Sequence, residues 1–388
     1  MHVRRICSDL VAIRSENPPG TTDDAVEYIR NFLSGIGVQS EVCGNGNGFA
    51  NLVSAREGAR LLLCGHVDVV PALPDGWTHP PFSGLVDDTF VWGRGSTDMK
   101  GGCAAILAAC RDLADAGTEI PASLAFVCDE ETGGENGIRY LLTHRKITPC
   151  DCLIAEPTPS RHPSIGQKGL CRISLVFKGT PAHGSLYPVV GISAIMEAMS
   201  FLEYMKTLHH REFPVDPVMK NILEQSSGVL EQEFHISGIR DVLTRLTYNP
   251  GVIRGGEKSN VVAQRCELDL EMRVPFGCSI PDLLADIRAH APNAIVTVNE
   301  THVPSSTDPA SPLVTVACGE VERARGGPVF PIVQWAASDA RHLRREGFRV
   351  IEYGPGEIST LHAVNERVRI DGLEKAVDVY RGIMQKYS

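Results

Sequence analysis

The sequence predicts an α/β fold in which a mostly parallel, mixed sheet is flanked by helices and a smaller α+β domain is inserted into the chain. Two observations indicate this. Residues 1–160 alternate between short apolar runs and helical patterns, which is typical of a parallel sheet covered on both faces. Residues 261–274 alternate strictly between apolar and charged side chains, which is typical of an antiparallel strand buried on one face only.

The first part of the chain contains the elements of the parallel sheet. Apolar residues at helical spacing predict helices over 21–36, 100–116 and 136–144. Short apolar runs predict buried strands at 51–54, 61–64, 123–128 and 152–155. Because helices and strands alternate along the chain, we expect largely parallel pairing of these strands.

The pattern changes near residue 168. A strand is predicted over 170–177 and an amphipathic helix over 190–208, whereas residues 209–240 are hard to interpret. After Ser279 the alternation of helix and strand returns, with strands near 294–298 and 348–353. A chain of 388 residues is long enough for two domains. We therefore expect a larger domain made of residues 1–167 and 280–388, and an inserted domain of residues 168–279.

Composition excludes several classes of protein. A net charge of −10 argues against nucleic acid or an anionic membrane as the main partner. The sequence contains no apolar stretch of membrane-spanning length. Because residues 1–10 lack a long apolar core, we expect no signal peptide. Its twelve cysteines form no Cys-x-x-Cys pair, which disfavours a thiol-redox or zinc-thiolate protein. We expect reduced, buried thiols in a cytoplasmic protein.

Histidine and acidic side chains stand where three predicted strands end. They are His66 and Asp68 after the strand at 61–64, Glu130 and Glu131 after 123–128, and Glu156 after 152–155. Open α/β sheets bind ligands beyond the carboxyl ends of their strands. Taken singly, His66 fits a satisfied histidine and Asp98 a helix N-cap. Taken together, these side chains indicate a metal site with imidazole and carboxylate ligands.

Five segments resemble, in order, the motifs of the dinuclear zinc amidohydrolases and exopeptidases. They are GHVDVVP at 65–71, GRGSTDMKG at 93–101, DEE at 129–131, AEP at 155–157 and LHAVNE at 361–366. That family includes succinyl-diaminopimelate desuccinylase, acetylornithine deacetylase, aminoacylase and glutamate-releasing carboxypeptidases. The resemblance implies a zinc-exopeptidase-like catalytic domain, with the inserted domain serving as lid and dimerisation domain.

The resemblance also implies a ligand set for two divalent ions, zinc by preference, with cobalt or manganese as substitutes. Asp98 would bridge the ions, His66 and Glu156 would complete one site, and Glu131 and His362 the other. Each ion then has three protein ligands and room for a water. The Asp98–Met99 peptide bond is expected to be cis.

Catalytic roles follow from the same resemblance. Glu130 would be the general base for a water activated by both ions, and Asp68 would orient His66. Neighbours on an extended chain point apart, which would let Glu130 face the water while Glu131 faces a metal. His183, in a Gly-x-x-x-His segment, would donate to the oxyanion, often in the active site of the partner subunit.

Four further residues match substrate-binding positions. Asn260 and Arg273 would hold a substrate carboxylate, although Arg273 beside Glu271 also fits a structural salt bridge. Arg341, in a Ser-Asp-x-Arg segment, could pair with an acidic acyl group or form a salt bridge at a helix start. Gly356 would line the pocket with backbone.

These features predict a homodimeric enzyme that cleaves the amide bond of an N-acyl amino acid, of the desuccinylase or acetylornithine deacetylase type. The alternative is a carboxypeptidase or dipeptidase acting on short peptides. A more remote alternative is a metal-binding relative that has lost hydrolysis. Such a relative is expected to lack the base or a ligand, whereas all of these positions are intact here.

Overall fold

The computed structural model describes residues 2–387. The helices are α1 (Val3–Ala12), α2 (Asp23–Gly35), α3 (Lys100–Asp115), α4 (Ile138–Thr143), α5 (Ala194–His209), α6 (Pro217–Phe234), α7 (Ile239–Thr244), α8 (Ile280–His290), α9 (Pro312–Arg325), α10 (Ala340–Arg345) and α11 (Ile370–Lys386). The strands are β1 (Glu41–Gly46), β2 (Phe49–Ser54), β3 (Leu61–His66), β4 (Phe90–Trp92), β5 (Ser123–Val127), β6 (Asp151–Ile154), β7 (Ser164–Gln167), β8 (Gly169–Lys178), β9 (Thr247–Gly255), β10 (Arg265–Val274), β11 (Ala294–His302), β12 (Ser305–Ser306), β13 (Ile332–Gln334), β14 (Arg349–Glu352) and β15 (Arg367–Arg369).

A nine-stranded mixed sheet forms the larger layer, in the order β1-β2-β5-β3-β6-β14-β7-β12, with β13 also paired to β7. The central pairs β5–β3, β3–β6 and β6–β14 are parallel. All residues of β3 and β6 are buried, as expected for strands covered on both faces. The predicted α/β class is therefore confirmed, and β3, β5 and β6 stand side by side at its centre.

A second, four-stranded sheet has the order β11-β8-β10-β9 and is antiparallel throughout. In β10 the alternation predicted from the sequence is confirmed, because Cys266, Leu268, Leu270 and Met272 are buried. These side chains share a core with residues of α5 and α8. The opposite face of β10 carries the charged residues, including Glu271 and Arg273, so one face of this sheet is polar.

Packing divides the chain differently from the limits predicted at residues 168 and 279. The strand expected in the large domain near 294–298 is β11, which pairs with β8 in the small sheet, and α8 belongs to the same core. Conversely, α6 and α7 lie within the predicted insertion but contribute residues to the large core. The reason is that strand pairing and helix docking depend on contacts distant in sequence, which periodicity does not report.

All twelve cysteines are unpaired and most are buried, which agrees with the expected reduced thiols. Burial raises the pKa of Cys103 and Cys110 to about 12, which leaves them as protonated thiols. Among the described residues, no helix combines the length and the apolar character needed to cross a bilayer.

Candidate active site

The carboxyl ends of the central strands converge on one edge of the large sheet. His66 is the last residue of β3, Glu130 follows β5, and Glu156 follows β6. Because β5, β3 and β6 are adjacent and parallel, their ends bring these side chains together. Asp98 precedes α3 and joins them, and the Asp98–Met99 peptide bond is cis as expected.

Two groups of side chains share Asp98. The first is His66, Asp98 and Glu156; the second is Asp98, Glu131 and His362, and within each group the ligand atoms lie within 4.8 Å of one another. His66 Nε2 is 3.1 Å from Asp98 Oδ1 and 3.6 Å from Glu156 Oε1. His362 Nε2 is 3.2 Å from Asp98 Oδ2 and 3.4 Å from Glu131 Oε2. These are the two sets that the resemblance implied, and Asp98 turns one oxygen toward each.

The chemistry of these groups fits divalent cations. Burial raises the pKa of Glu156 well above its ordinary range, because a lone carboxylate is poorly solvated there. Burial alone would lower the pKa of His66, but the neighbouring carboxylates raise it overall. Hydrogen bonds to Asp98 and Glu131 raise the pKa of His362 to about 10. Glu131 Oε1 is buried without a hydrogen-bond partner. The cluster therefore favours positive charge, and imidazole with carboxylate is a donor set that zinc accepts.

Glu130 and Glu131 lie on a single 3-10 turn, Glu130–Thr132, so the extended backbone predicted for them is wrong. The turn is fixed by Asp68, whose carboxylate accepts the backbone N–H groups of Glu130 and Glu131 at 3.2 Å each. Asn17 Nδ2 donates to Asp68 at 3.0 Å and to Asp129 at 3.1 Å. The turn closes because Asp129 adopts a left-handed conformation with φ 67°.

Asp68 has two tasks in this arrangement. Its backbone oxygen is 2.9 Å from His66 Nδ1, and its carboxylate Oδ1 is 3.5 Å from the same nitrogen. The carbonyl is thus the closer orienting partner of the imidazole. The carboxylate mainly holds the backbone of the turn that carries Glu130.

The loop that carries Asp98 is organised around Glu366. Glu366 Oε1 accepts the backbone N–H groups of Gly95, Thr97 and Asp98 at 3.0, 3.0 and 3.1 Å. Its other oxygen pairs with the Arg94 guanidinium, which also donates to the backbone oxygen of His362 at 3.2 Å. One buried carboxylate therefore links the loops of two candidate metal ligands.

A cavity of about 550 Å³ opens beside the two groups and is lined by Glu130, Glu131 and His362 among others. Arg273 lies on its wall, and Arg172 lies there too. Arg172 and Arg273 bind opposite oxygens of Glu271, at 2.9 and 2.8 Å. The salt bridge considered for Arg273 is therefore present, and it places the guanidinium on the cavity wall.

Of the other predicted substrate-binding residues, Arg341 reaches the cavity and Gly356 does not. Arg341 lines the cavity and is buried, and its Nε has no hydrogen-bond partner. Its Nη1 donates to Ser338 O at 2.7 Å, and among the described residues no carboxylate forms an ion pair with it. Gly356 does not line the cavity: a side chain there would meet Pro157 and Thr97 at 2.7 and 2.8 Å. It allows the close packing of the loops that carry Glu156 and Asp98.

His183 and Asn260 lie together on the small domain, which is the part of the chain built around the four-stranded sheet. They are apart from the cavity. Both are exposed, and Asn260 O accepts the N–H of Gly184, the residue after His183, at 2.8 Å. His183 Nδ1 is 2.8 Å from Ser185 Oγ. Neither side chain belongs to the cavity wall of its own chain.

Residues 62–386 match the sequence model of peptidase family M20/M25/M40. The chain belongs to this family. It is similar to a succinyl-diaminopimelate desuccinylase of Sulfurovum sp. (strain NBC37-1), with 26% identity over 402 residues and full coverage of both chains. It is therefore a hydrolytic enzyme of a metallopeptidase family.

Solved structures of the M20 family share the fold. The metallo-carboxypeptidase Sso-CP2 from Sulfolobus solfataricus superposes with a TM-score of 0.80 at 18% identity, covering 100% of this chain and 99% of the other. The YXEP protein of Bacillus subtilis, described as a dinuclear metal binding peptidase, gives a TM-score of 0.66 at 13% identity, covering 98% and 96%. The likeness places the large mixed sheet and the separate antiparallel sheet within one known M20 architecture.

Sequence reasoning missed several residues of this M20 site. Glu366 stands in the LHAVNE segment, but nothing in that segment indicates its four hydrogen bonds to the loop of Asp98 and to Arg94. Arg172 could have been found, since the alternation of residues 170–177 puts it on the polar face of β8. Phe234 and Trp335, which also line the cavity, carry no such signal.

Proposed function

We propose that this M20 enzyme is a two-metal amidohydrolase that cleaves the amide bond of an N-acyl amino acid. The observation that carries the proposal is the pair of ligand groups sharing Asp98 beside a cavity that contains Glu130 and arginine side chains. The desuccinylase or acetylornithine deacetylase type is favoured, because relatives along the whole chain are named desuccinylases.

The metal ligands proposed are His66, Asp98 and Glu156 for one ion, and Asp98, Glu131 and His362 for the other. When bound, such ions lower the pKa of a shared water and polarise the scissile carbonyl group. Zinc is the ion proposed first, with cobalt or manganese as substitutes. The protein holds the ligands in place through hydrogen bonds to Glu366 and Asp68.

Glu130 is proposed as general base and then general acid. Burial raises the pKa of its carboxyl well above the ordinary value, which suits a group that takes a proton from water and returns it to the leaving amine. Asp68 fixes the backbone of Glu130, so its carboxylate keeps one position on the cavity wall.

Arg273 is proposed to bind the substrate carboxylate, with Arg341 as the partner of an acidic acyl group. A planar guanidinium suits bidentate binding of a carboxylate. The free carboxylate of a short peptide would fit the same arginine. A carboxypeptidase or dipeptidase activity is therefore the second candidate.

We further propose a homodimer in which His183 serves the partner's active site. The support is that His183 and Asn260 are exposed and outside the cavity of their own chain, while large apolar side chains in the segment after His183 and on α5 are exposed as well. Those exposed residues are Leu186, Val189, Ile192, Met196 and Met199. An apolar surface of this kind is typical of an interface.

Mixing two inactive variants tests this assembly. Glu130→Ala and His183→Ala chains that exchange freely should recover about one quarter of wild-type activity, because half of the dimers are mixed and each has one complete site. If His183 acts within its own chain, each site of a mixed dimer lacks one residue. A mixture proven to contain heterodimers but without activity would refute the exchange of His183.

A substrate panel with metal analysis tests the function itself. Release of amine is measured from N-succinyl and N-acetyl amino acids and from dipeptides, with protein loaded with zinc, cobalt or manganese. We expect deacylation with two ions per chain. Cleavage of dipeptides alone would favour the peptidase, and full activity with one ion would refute the two-metal site. Metal binding without any hydrolysis would favour the non-catalytic relative.

A further inference from the structure

Helix α6 lies within the predicted insertion but is fixed to the large domain. Its Ile222, Leu223 and Leu230 are buried in the large core. Ser226 Oγ accepts the backbone N–H of Val333 in β13 at 2.9 Å. Because β13 pairs with β7 of the large sheet, the helix is held against the edge of that sheet.

The fixed helix brings an aromatic ring to the cavity. Phe234, its last residue, lies on the cavity wall beside Trp335, which directly follows β13. The two rings meet edge to face with their centroids 5.0 Å apart, a favourable geometry for an aromatic pair. Both rings are half-buried, with one side packed on the large core and another open to the cavity.

Apolar side chains extend this wall toward the metal-ligand cluster. Leu361, next to His362, and the buried Ile358 line the same cavity. Arg273, which is proposed to bind the substrate carboxylate, and its neighbour Arg172 stand on the polar face of the small sheet instead. On the large domain the cavity thus has an apolar part beside Arg341 and the acidic cluster, and on the small domain it has a second cationic part.

We propose that Phe234 and Trp335 form an apolar subsite that makes this enzyme selective for amino acids with a large apolar side chain, aromatic or branched aliphatic. The proposal rests on the proposed amidohydrolase function and names its substrate class: a free carboxylate, a scissile amide and an apolar side chain. Apolar and aromatic walls with a few polar groups are typical of small-molecule sites. Phe234 and Trp335 themselves offer no partner to a charged group. The subsite therefore favours apolar side chains over the charged ones of ornithine and diaminopimelate, and it narrows the type proposed above.

Matched substrates test the subsite. Wild-type kcat/KM for N-acetyl-phenylalanine and N-acetyl-leucine should exceed that for N-acetyl-alanine by about 10- to 200-fold. In Phe234→Ala and Trp335→Ala this ratio should fall by roughly tenfold or more. Phe234→Leu, which keeps an apolar side chain, should retain most of the ratio. The control is Phe213→Ala, because Phe213 packs on the small core away from the cavity, and it should leave the ratio unchanged.

Two outcomes would overturn the subsite: a wild-type ratio near one, or equal losses for large and small substrates in Phe234→Ala and Phe234→Leu. If the enzyme releases no amine from these compounds, calorimetry measures how tightly it binds the same N-acetyl amino acids. Tighter binding of N-acetyl-phenylalanine than of N-acetyl-alanine, lost in Phe234→Ala, would support the subsite while the proposed function fails. Equal binding of both would overturn the subsite as well.

Discussion

The two walls of the cavity are held in place by different means. On the large domain, Asp68 and Glu366 are completely buried, and they accept two and three backbone N–H groups, respectively, around the candidate metal ligands. On the small domain, the side chains of Arg172 and Arg273 are 48% and 30% exposed and are joined through Glu271 of their own sheet. The first wall is a buried network, and the second is a row of partly solvated ion pairs.

This difference matches the tasks proposed for the walls. A group that moves a proton or holds a metal must keep its position closely, and buried hydrogen bonds provide this. A group that binds a substrate carboxylate can exchange a solvated partner for the substrate at small cost, since exposed ion pairs stabilise a fold by only about 0–1 kcal/mol. Changes in the first wall should therefore affect chemistry and folding, and changes in the second mainly binding.

The largest effect is expected from Glu130→Gln. Turnover should fall by about 10²- to 10⁴-fold, because the amide cannot accept the proton of the attacking water. Metal content should stay unchanged, since Glu130 belongs to neither ligand group. Glu131→Gln is the matched control and should lose metal. Loss of metal in the Glu130 variant would mean that the roles of the two residues are exchanged.

Glu366→Ala tests whether the buried network stabilises the large domain. The variant leaves three backbone N–H groups without their acceptor and removes the carboxylate partner of the buried Arg94. We expect the free energy of unfolding to fall by roughly 3–5 kcal/mol, measured by denaturant titration of the metal-free protein. Glu374→Ala, on the exposed face of α11, should change it by less than about 0.5 kcal/mol. Equal values for the two variants would contradict the stabilising role.

Arg273→Ala tests the recognition wall. The kcat/KM for carboxylate-bearing substrates should fall by the equivalent of roughly 2–4 kcal/mol, while the corresponding substrate amides change little. Arg265→Ala is the control. Arg265 forms a comparable ion pair on β10, with Glu267 two residues away, but it lies outside the cavity. A loss of folding with unchanged kinetics of the folded fraction would leave Arg273 a structural role only.

The last effect is confined to alkaline pH and concerns Lys168, at the junction of the two sheets. Its Nζ donates to Val242 O at 2.6 Å and Arg245 O at 2.7 Å, and burial lowers its pKa to about 7. In the unfolded chain the amine stays protonated up to about pH 10, so between these values the unfolded state binds more protons.

The free energy of unfolding of the wild type, relative to Lys168→Met, should therefore rise with pH between about 7 and 10. The slope should reach at most about 1.4 kcal/mol per pH unit, and below pH 7 the difference should be flat. Denaturant titrations across this range measure it. If the difference in free energy of unfolding between the wild type and Lys168→Met is the same at every pH, the Lys168 amine has the same pKa in the folded and the unfolded state.

The parts of the site predicted from sequence are those encoded locally. His66, Glu130 and Glu156 lie within two residues of the ends of apolar runs that become adjacent strands, so a parallel sheet brings them together without further information. In β10 the alternation that buries Cys266 also determines which face carries Arg273. Conversely, the 3-10 turn at Glu130 depends on Asp68 and Asn17, which are distant in sequence.

The sequence by itself determined the α/β class, the strand ends that carry three of the five candidate ligands, and the polar face of β10, because each depends on the spacing of neighbouring residues. Only the tertiary structure decided that β11 pairs with β8 and that α6 packs on the large core with Phe234 at the cavity. Both outcomes depend on complementarity between surfaces far apart in the chain. An apolar pattern indicates that a face is buried, but tertiary packing determines which surface covers it.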